Sequence, residues 1–339
     1  LLETLRQKAN EFQTINAEKS VIMGPAYSEY EREITLNGGK FEYFPLREEE
    51  DFRLNLPALL DALTPDVGMF IACNPNNPTG ALYSDEMLKQ LVQVARENDL
   101  IIFSDEIYDR LVMDDLEHIS TASLAPDLPV VTMNGLSKSH LVCGFRCGWM
   151  VLSGAKESAK DFIAGLVQLS AMRLCANALM QLVIPAALND PESTREMIVP
   201  GGRLYEQREA TCRELAKIDG LSFVKNNAAF YLFPKLDIKK FNIVDDQQFA
   251  LDFLREKRVL IVPGSGFNWK QPDHFRVVYL PRTEVLQEAV TKMTDFFATY
   301  RQDWEQANPD LPANDVEFLF YFAVSGLLGV VRHWLFDLP

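Results

Sequence analysis

The sequence predicts an α/β protein, with a large domain built on a mainly parallel sheet flanked by helices on both faces and a smaller α+β domain behind it. Two observations carry this. Over residues 57–152, short apolar runs alternate with helical periods, and strands alternating with helices imply crossover connections and a mainly parallel sheet. From about Pro200 the texture changes to helices separated by short strand-like runs. The 339 residues, 47% of them hydrophobic, are enough for more than one core. The expected division is 1–199 for a large domain incomplete at its N-terminus, 200–302 for a small C-terminal domain, and 303–339 for an acidic linker and an apolar helix of unassigned role.

Each element has its own signal. Residues 67–73 (VGMFIAC) read as a strand. Ser84 is a candidate N-cap with Asp85 and Glu86 in the first turn, and Met87, Leu88, Leu91, Val92 and Ala95 follow at helical spacing. Further strands are expected over 101–104, 129–133 and 147–152. Beyond Pro200, helices are expected over 202–218, 246–257 and 284–300, and strands over 221–224, 229–232, 259–262 and 275–280. Residues 1–20 carry mixed charge, are not a signal peptide and read as one amphipathic helix. With no initiating Met, the expectation is a start partway into a longer protein or after processing. Residues 303–317 are acidic, contain Pro309 and Pro312, and suit a linker. Residues 318–331 carry no charge but fall short of the roughly 20 apolar residues a bilayer requires. A buried or dimer-packing helix is preferred there over a membrane-associated tail. That stretch is also similar to the C-terminal dimerisation helices of tetracycline-repressor-type regulators.

Lys plus Arg number 33 against 48 Asp plus Glu, a formal charge of −15. So acidic a chain repels phosphate backbones and anionic lipid at long range, so neither nucleic acid nor a membrane is expected as a partner. A few local cations in a cleft still suffice for a small anionic substrate. The five cysteines are odd in number and scattered, which suits reduced thiols and a cytoplasmic setting. Cys143 and Cys147 have only His140 nearby, so no metal site is expected.

Polar residues stand just past several predicted strands, where open α/β sheets bind ligands. The first group is Asn74-Pro75-Asn76-Asn77-Pro78-Thr79-Gly80, either an ordinary turn or a rigid loop presenting amides. The second is Ser104-Asp105-Glu106-Ile107-Tyr108-Asp109. Asp105 is either an N-cap or a partly buried carboxylate that needs a cation, and Tyr108 faces the same site if a helical turn begins here. The third is Asn134-Gly135-Leu136-Ser137-Lys138-Ser139. A lysine at this edge lies in a cleft, where desolvation and nearby Arg146 favour the free amine that Schiff-base chemistry requires. A lone Lys or Arg is ordinarily a solvated surface charge. Together, however, Lys138, Asp105, Asn77 with Tyr108, and Arg146 match an aldehyde cofactor with a pyridine ring and a phosphate: an amine, a carboxylate, hydrogen bonds to a phenolic oxygen and a cation.

In this order and spacing, Asn77, Asp105, Tyr108, Lys138 and Arg146 resemble the signature of fold-type I pyridoxal-phosphate aminotransferases. The segments SDEIYDRL, NGLSKSH, GFRCGWMVLSG, MRLCAN, PGGRLYEQR and DDQQFALDFL resemble the bacterial glutamate–pyruvate (alanine) aminotransferases, over about residues 21–302. The resemblance implies pyridoxal 5'-phosphate as cofactor. It implies Lys138 as the amine that binds the aldehyde and shuttles the proton, and Asp105 as partner of the ring nitrogen. Asn77 and Tyr108 would bond the phenolic oxygen, Arg146 the phosphate, and Tyr27 would stack on the ring. Arg276 would grip the substrate α-carboxylate, with Asn77 beside it. Gly135 stands where many relatives carry a phosphate-binding serine, so Ser137 is expected to compensate. No Gly/Ser/Thr phosphate cup is visible in residues 1–20, and the substrate-closing segment and the tyrosine lent by a partner subunit are not found. The implied reaction is reversible amino transfer from L-alanine to 2-oxoglutarate by a cytoplasmic homodimer, with amino acids and 2-oxo acids as ligands. Two other readings stand beside it: a carbon–sulfur lyase or an aminotransferase of different specificity, and a non-catalytic effector domain of a regulator.

Overall fold

The computed structural model describes residues 19–52, 56–157, 159–241 and 243–300. The linker and apolar helix expected over 303–339 lie outside the described residues, as does the helix expected over 1–20 except for its last two positions. Those two, Lys19 and Ser20, open a strand instead.

Six strands form one sheet: β1 Lys19–Gly24, β2 Lys40–Pro45, β3 Val67–Cys73, β4 Ile101–Asp105, β5 Val130–Gly135 and β6 Gly148–Ser153. Their spatial order is β2-β1-β3-β4-β5-β6. The pairings from β2 through β5 are parallel, and β6 alone runs antiparallel, against β5. The chain steps outward from β1 to β2 and returns on the other side as β3, so strand order reverses between β1 and β3. A crevice opens at the carboxyl ends of strands at such a point.

The central strands β1 and β3 are buried on both faces because alternate side chains serve different layers. Val21, Met23, Phe70 and Ala72 point to the layer of helix Asp85–Glu97. That helix starts where Ser84 Oγ accepts the Met87 N–H at 3.2 Å, and it buries Met87, Leu88, Leu91, Val92, Val94 and Ala95. Ile22 and Ile71 point the other way, toward half-buried Tyr30, Ile34 and Phe41. Each fully buried large aliphatic contributes about 1.5–3 kcal/mol.

The later elements form a second assembly. Helices Arg203–Leu215, Asp246–Lys257 and Thr283–Tyr300 surround the short strands β7 Leu221–Ser222, β8 Tyr231–Leu232, β9 Lys235–Leu236, β10 Val262–Pro263 and β11 Phe275–Val278. Three of these join antiparallel in the order β10-β11-β8, and β7 pairs with β9. The strand expected over 259–262 is shorter than its apolar run, because only Val262 of that stretch finds a ladder partner, Arg276. Phe249, Phe253, Phe275 and Phe296 build this core, and Cys73, Tyr108, Leu111 and Met113 from beside the large sheet pack into it.

A fully buried arginine ties the two assemblies together. Arg208 forks onto Asp114 with two bonds of 2.6 Å and donates to Asn226 O at 3.0 Å. Asn226 in turn meets Gly80, which has φ +69°. A Cβ at position 80 would stand 2.7 Å from the Asn226 Cβ and 2.8 Å from Ala228 O. Only glycine fits there. Among the described residues, no helix is long and apolar enough to cross a membrane, and no group of three metal-ligating side chains is gathered.

Candidate active site

Asp105 ends β4, at the carboxyl edge of the sheet. Its Oδ1 accepts the Ile107 N–H at 3.1 Å, which starts a tight turn, and its Oδ2 accepts the Tyr30 hydroxyl at 2.5 Å. Burial raises the Asp105 pKa, against the opposing effects of the Tyr30 bond, the Ile107 N–H and the Lys138 charge. Burial also raises the Tyr30 phenol, and so do nearby Cys73 and Asp105. Next along the chain, buried Glu106 accepts from Ser104 Oγ, Ser120 Oγ and the Thr121 N–H at 2.9–3.1 Å. These bonds anchor the turn that carries Tyr108.

The Asn74–Gly80 loop is held from within. Asn74 Oδ1 accepts the Tyr83 N–H at 2.9 Å, and Asn76 Oδ1 accepts from Thr79 Oγ1 at 2.8 Å and from the Thr79 N–H. Asn76 Nδ2 also donates to Pro25 O at 3.3 Å, while Asn77 is turned to the second assembly: its Oδ1 accepts from Arg276 Nη1 at 2.8 Å. The Arg276 guanidinium lies between the Tyr231 ring at 4.5 Å and the Phe267 ring at 4.7 Å. Burial lowers its pKa, and its Nε is buried without a hydrogen-bond partner among the described residues.

Lys138 follows β5 on the four-residue helix Leu136–Ser139. The residue is half-buried, and its Nζ stands 5.9 Å from the centre of the Phe230 ring. Phe230 packs edge-on against both Tyr108 and Tyr231. The Tyr108 and Tyr231 hydroxyls are 2.9 Å apart. Gly135 is glycine for a steric reason. A Cβ there would lie 2.8 Å from Cys147 O and 3.0 Å from the Gly148 Cα.

Lys138, Asp105, Asn77, Tyr108 and Arg276 thus form one connected group, and Tyr27 reaches it edge-on through Tyr30 with ring centres 5.9 Å apart. Arg146 stands apart. It is exposed, has φ +51°, and its Nη1 donates to Cys143 O in its own loop at 2.9 Å. Ser137 is half-buried beside Lys138. Sequence reasoning missed Tyr30, Phe230, Tyr231 and Phe267. Only Tyr30 had a usable signal, three residues after Tyr27.

The fold and this site define an aminotransferase, and the chain belongs to the family described as aminotransferase class I and II, whose model matches residues 6–293. It is 47% identical over 278 residues to the glutamate-pyruvate aminotransferase AlaA of Haemophilus influenzae, covering 82% of this chain and 69% of that protein. It is 41% identical over 287 residues to the alanine aminotransferase of Mycobacterium tuberculosis H37Rv, covering 85% of this chain and 67% of the relative. Among solved structures, an aminotransferase from Escherichia coli superposes with TM-score 0.82 at 46% identity, covering 83% and 70% of the two chains. The alanine aminotransferase from Pyrococcus furiosus gives 0.78 at 34% identity, covering 84% and 71%.

Proposed function

We propose that this chain is a pyridoxal-phosphate-dependent aminotransferase that exchanges the amino group between L-alanine and 2-oxoglutarate, giving pyruvate and L-glutamate. The observation that carries this reading is the gathering of Lys138, Asp105, Tyr108, Asn77 and Arg276 at the carboxyl ends of β3 to β5 and on β11. The donor set fits the cofactor and an amino acid. A half-buried carboxylate whose pKa is raised by desolvation is relieved by a protonated ring nitrogen. A half-buried guanidinium whose buried Nε lacks a partner among the described residues is relieved by a carboxylate.

When bound, pyridoxal phosphate supplies an aldehyde for the amino group and a ring that spreads charge developing at the substrate Cα. Asp105 would hold the ring-nitrogen proton, with Tyr30 fixing the carboxylate. Asn77 and Tyr108 would bond the phenolic oxygen, and Tyr27 would lie against the ring. Arg146 and Ser137 would hold the phosphate. Arg276 would fork onto the α-carboxylate, and the Lys138 amine would move the proton at the substrate Cα. Residues 1–199 and 200–302 would act as a large and a small domain with the site between them, in a cytoplasmic homodimer.

The test is a spectrum of the full chain with added pyridoxal phosphate, followed by an assay with L-alanine and 2-oxoglutarate. The expected products are pyruvate and glutamate in equal amounts. Release of ammonia in place of glutamate would assign a lyase. Borohydride reduction should place the pyridoxyl label on Lys138, and a label spread over several lysines would refute the assignment of that residue.

A further inference from the structure

The hydroxyl pair between Tyr108 and Tyr231 joins two parts of the molecule. Tyr108 is on the turn after β4, and Tyr231 opens β8, next to the strand that carries Arg276. Both side chains are buried, and their oxygens are 2.9 Å apart. The Tyr231 ring also lies 4.5 Å from the Arg276 guanidinium. One side chain therefore touches a residue read as holding the cofactor and a residue read as holding the substrate.

We propose that Tyr231 is a positioning residue for both: its hydroxyl donates to Tyr108 and so frees the Tyr108 proton for the site, while its ring holds Arg276 at the angle of the substrate carboxylate. This rests on the functional reading above. Two facing hydroxyls share one proton between them, and whichever donates leaves the other free to donate elsewhere. Burial raises both phenols, but at Tyr231 the Tyr108 bond and the Arg276 cation against its ring oppose the rise, which makes Tyr231 the stronger donor of the pair. Chains of hydroxyls polarise one another, so a Tyr108 that accepts from Tyr231 is the better donor outward. The ring does separate work. A cation held over an aromatic face gains about 0.5–2 kcal/mol.

Two substitutions separate these roles. Tyr231→Phe keeps the ring and removes the hydroxyl. A bond donated to an oxygen favours that oxygen's charged form, so weakening it moves the pH midpoint of the bound cofactor's visible absorption upward, by about 0.5 unit or more. The KM for 2-oxoglutarate should change less than about twofold. Tyr231→Leu removes the ring as well, and should raise that KM by roughly 3- to 30-fold. In a Tyr108→Phe background, Tyr231→Phe should add no further shift of the midpoint, because the hydroxyl acts through Tyr108. Melting temperatures of all variants report folding separately. An unshifted midpoint in Tyr231→Phe, with Lys138 still labelled by borohydride, overturns the inference and leaves the functional reading intact. Equal KM changes in Phe and Leu variants likewise refute the division of roles. An unlabelled Lys138 overturns the functional reading, and the inference with it.

Discussion

Within the candidate site Arg276 is packed between two aromatic rings and bonded to Asn77, whereas Arg146, apart from that group, lies in solvent and bonds the carbonyl of its own loop. Both are arginines read as anion receptors. The first is preorganised: the Asn74–Gly80 loop, β8 and β11 all constrain it, and little side-chain entropy remains to be lost on binding. The second must exchange a local bond for a ligand, and water screens it throughout. On the proposed reading, carboxylate recognition would be built into the packing of the second core, whereas the exposed cation would give a weaker grip that salt can loosen.

The largest expected effect breaks the buried end at its reactive amine. Lys138→Ala should lower amino transfer by at least ~10³-fold, since a positioned acid–base group contributes up to about 10⁴. A steady-state assay beside a melting curve would separate chemistry from folding.

Asp105→Asn should lose about 10²-fold in turnover while leaving the fold intact. Its stability should move the other way. The folded carboxyl pKa is raised above its ordinary value of 3.8. Between the unfolded and folded values, the native state holds a proton that the unfolded chain has released, so stability falls as pH rises through that window. The asparagine variant escapes this penalty. Urea midpoints without added cofactor should favour it at pH 8 and not at pH 3.5, and a wild-type advantage at pH 8 would contradict the argument.

Arg276→Lys should raise the KM of alanine and of 2-oxoglutarate together, by roughly 10- to 100-fold, because an ammonium cannot reproduce the fork. If only one substrate responds, Arg276 reads a side-chain carboxylate.

Arg146→Gln sharpens the contrast from the exposed side. Stability should stay within about 0.5 kcal/mol of wild type. The cofactor dissociation constant should rise about tenfold, the equivalent of one charge-assisted bond. It should also depend less on salt than wild type does.

How much of this was legible depended on how local each signal was. Asn77, Asp105 and Lys138 stood out because an apolar run ended and polar residues began, and a strand end is written in a few consecutive letters. The helix over 246–257 was read to the residue because Asp245 caps it, accepting the Gln247 and Gln248 N–H groups, and basic residues end it. The strands β1 and β2 carry no comparable local signal. β2 mixes half-buried and exposed positions at the sheet edge, and β1 is a short run whose first two residues fall in the helix expected over 1–20. Tyr231 and Phe267 were illegible because their role is contact with Arg276, and nothing in a Phe- and Tyr-rich segment marks which ring receives a cation. Arg208 was hidden in the same way. It looks like one more charge on a charged helix, yet it is fully buried and held by Asp114, 94 residues away.

The glycine three residues before Lys138 also restricts the order in which mutations can accumulate. A serine at position 135, the residue many relatives use against the phosphate, would drive its Cβ to 2.8 Å from Cys147 O and 3.0 Å from the Gly148 Cα. Both atoms are backbone, on or beside a strand paired with β5 residue by residue, so no side-chain rotation relieves the clash. A lineage carrying this geometry therefore cannot gain the hydroxyl in one step. The ladder between β5 and β6 would have to shift to make room for it. Position 135 is thus restricted to glycine by backbone sterics, and on the proposed reading Ser137, two residues on, is the hydroxyl left to meet the phosphate.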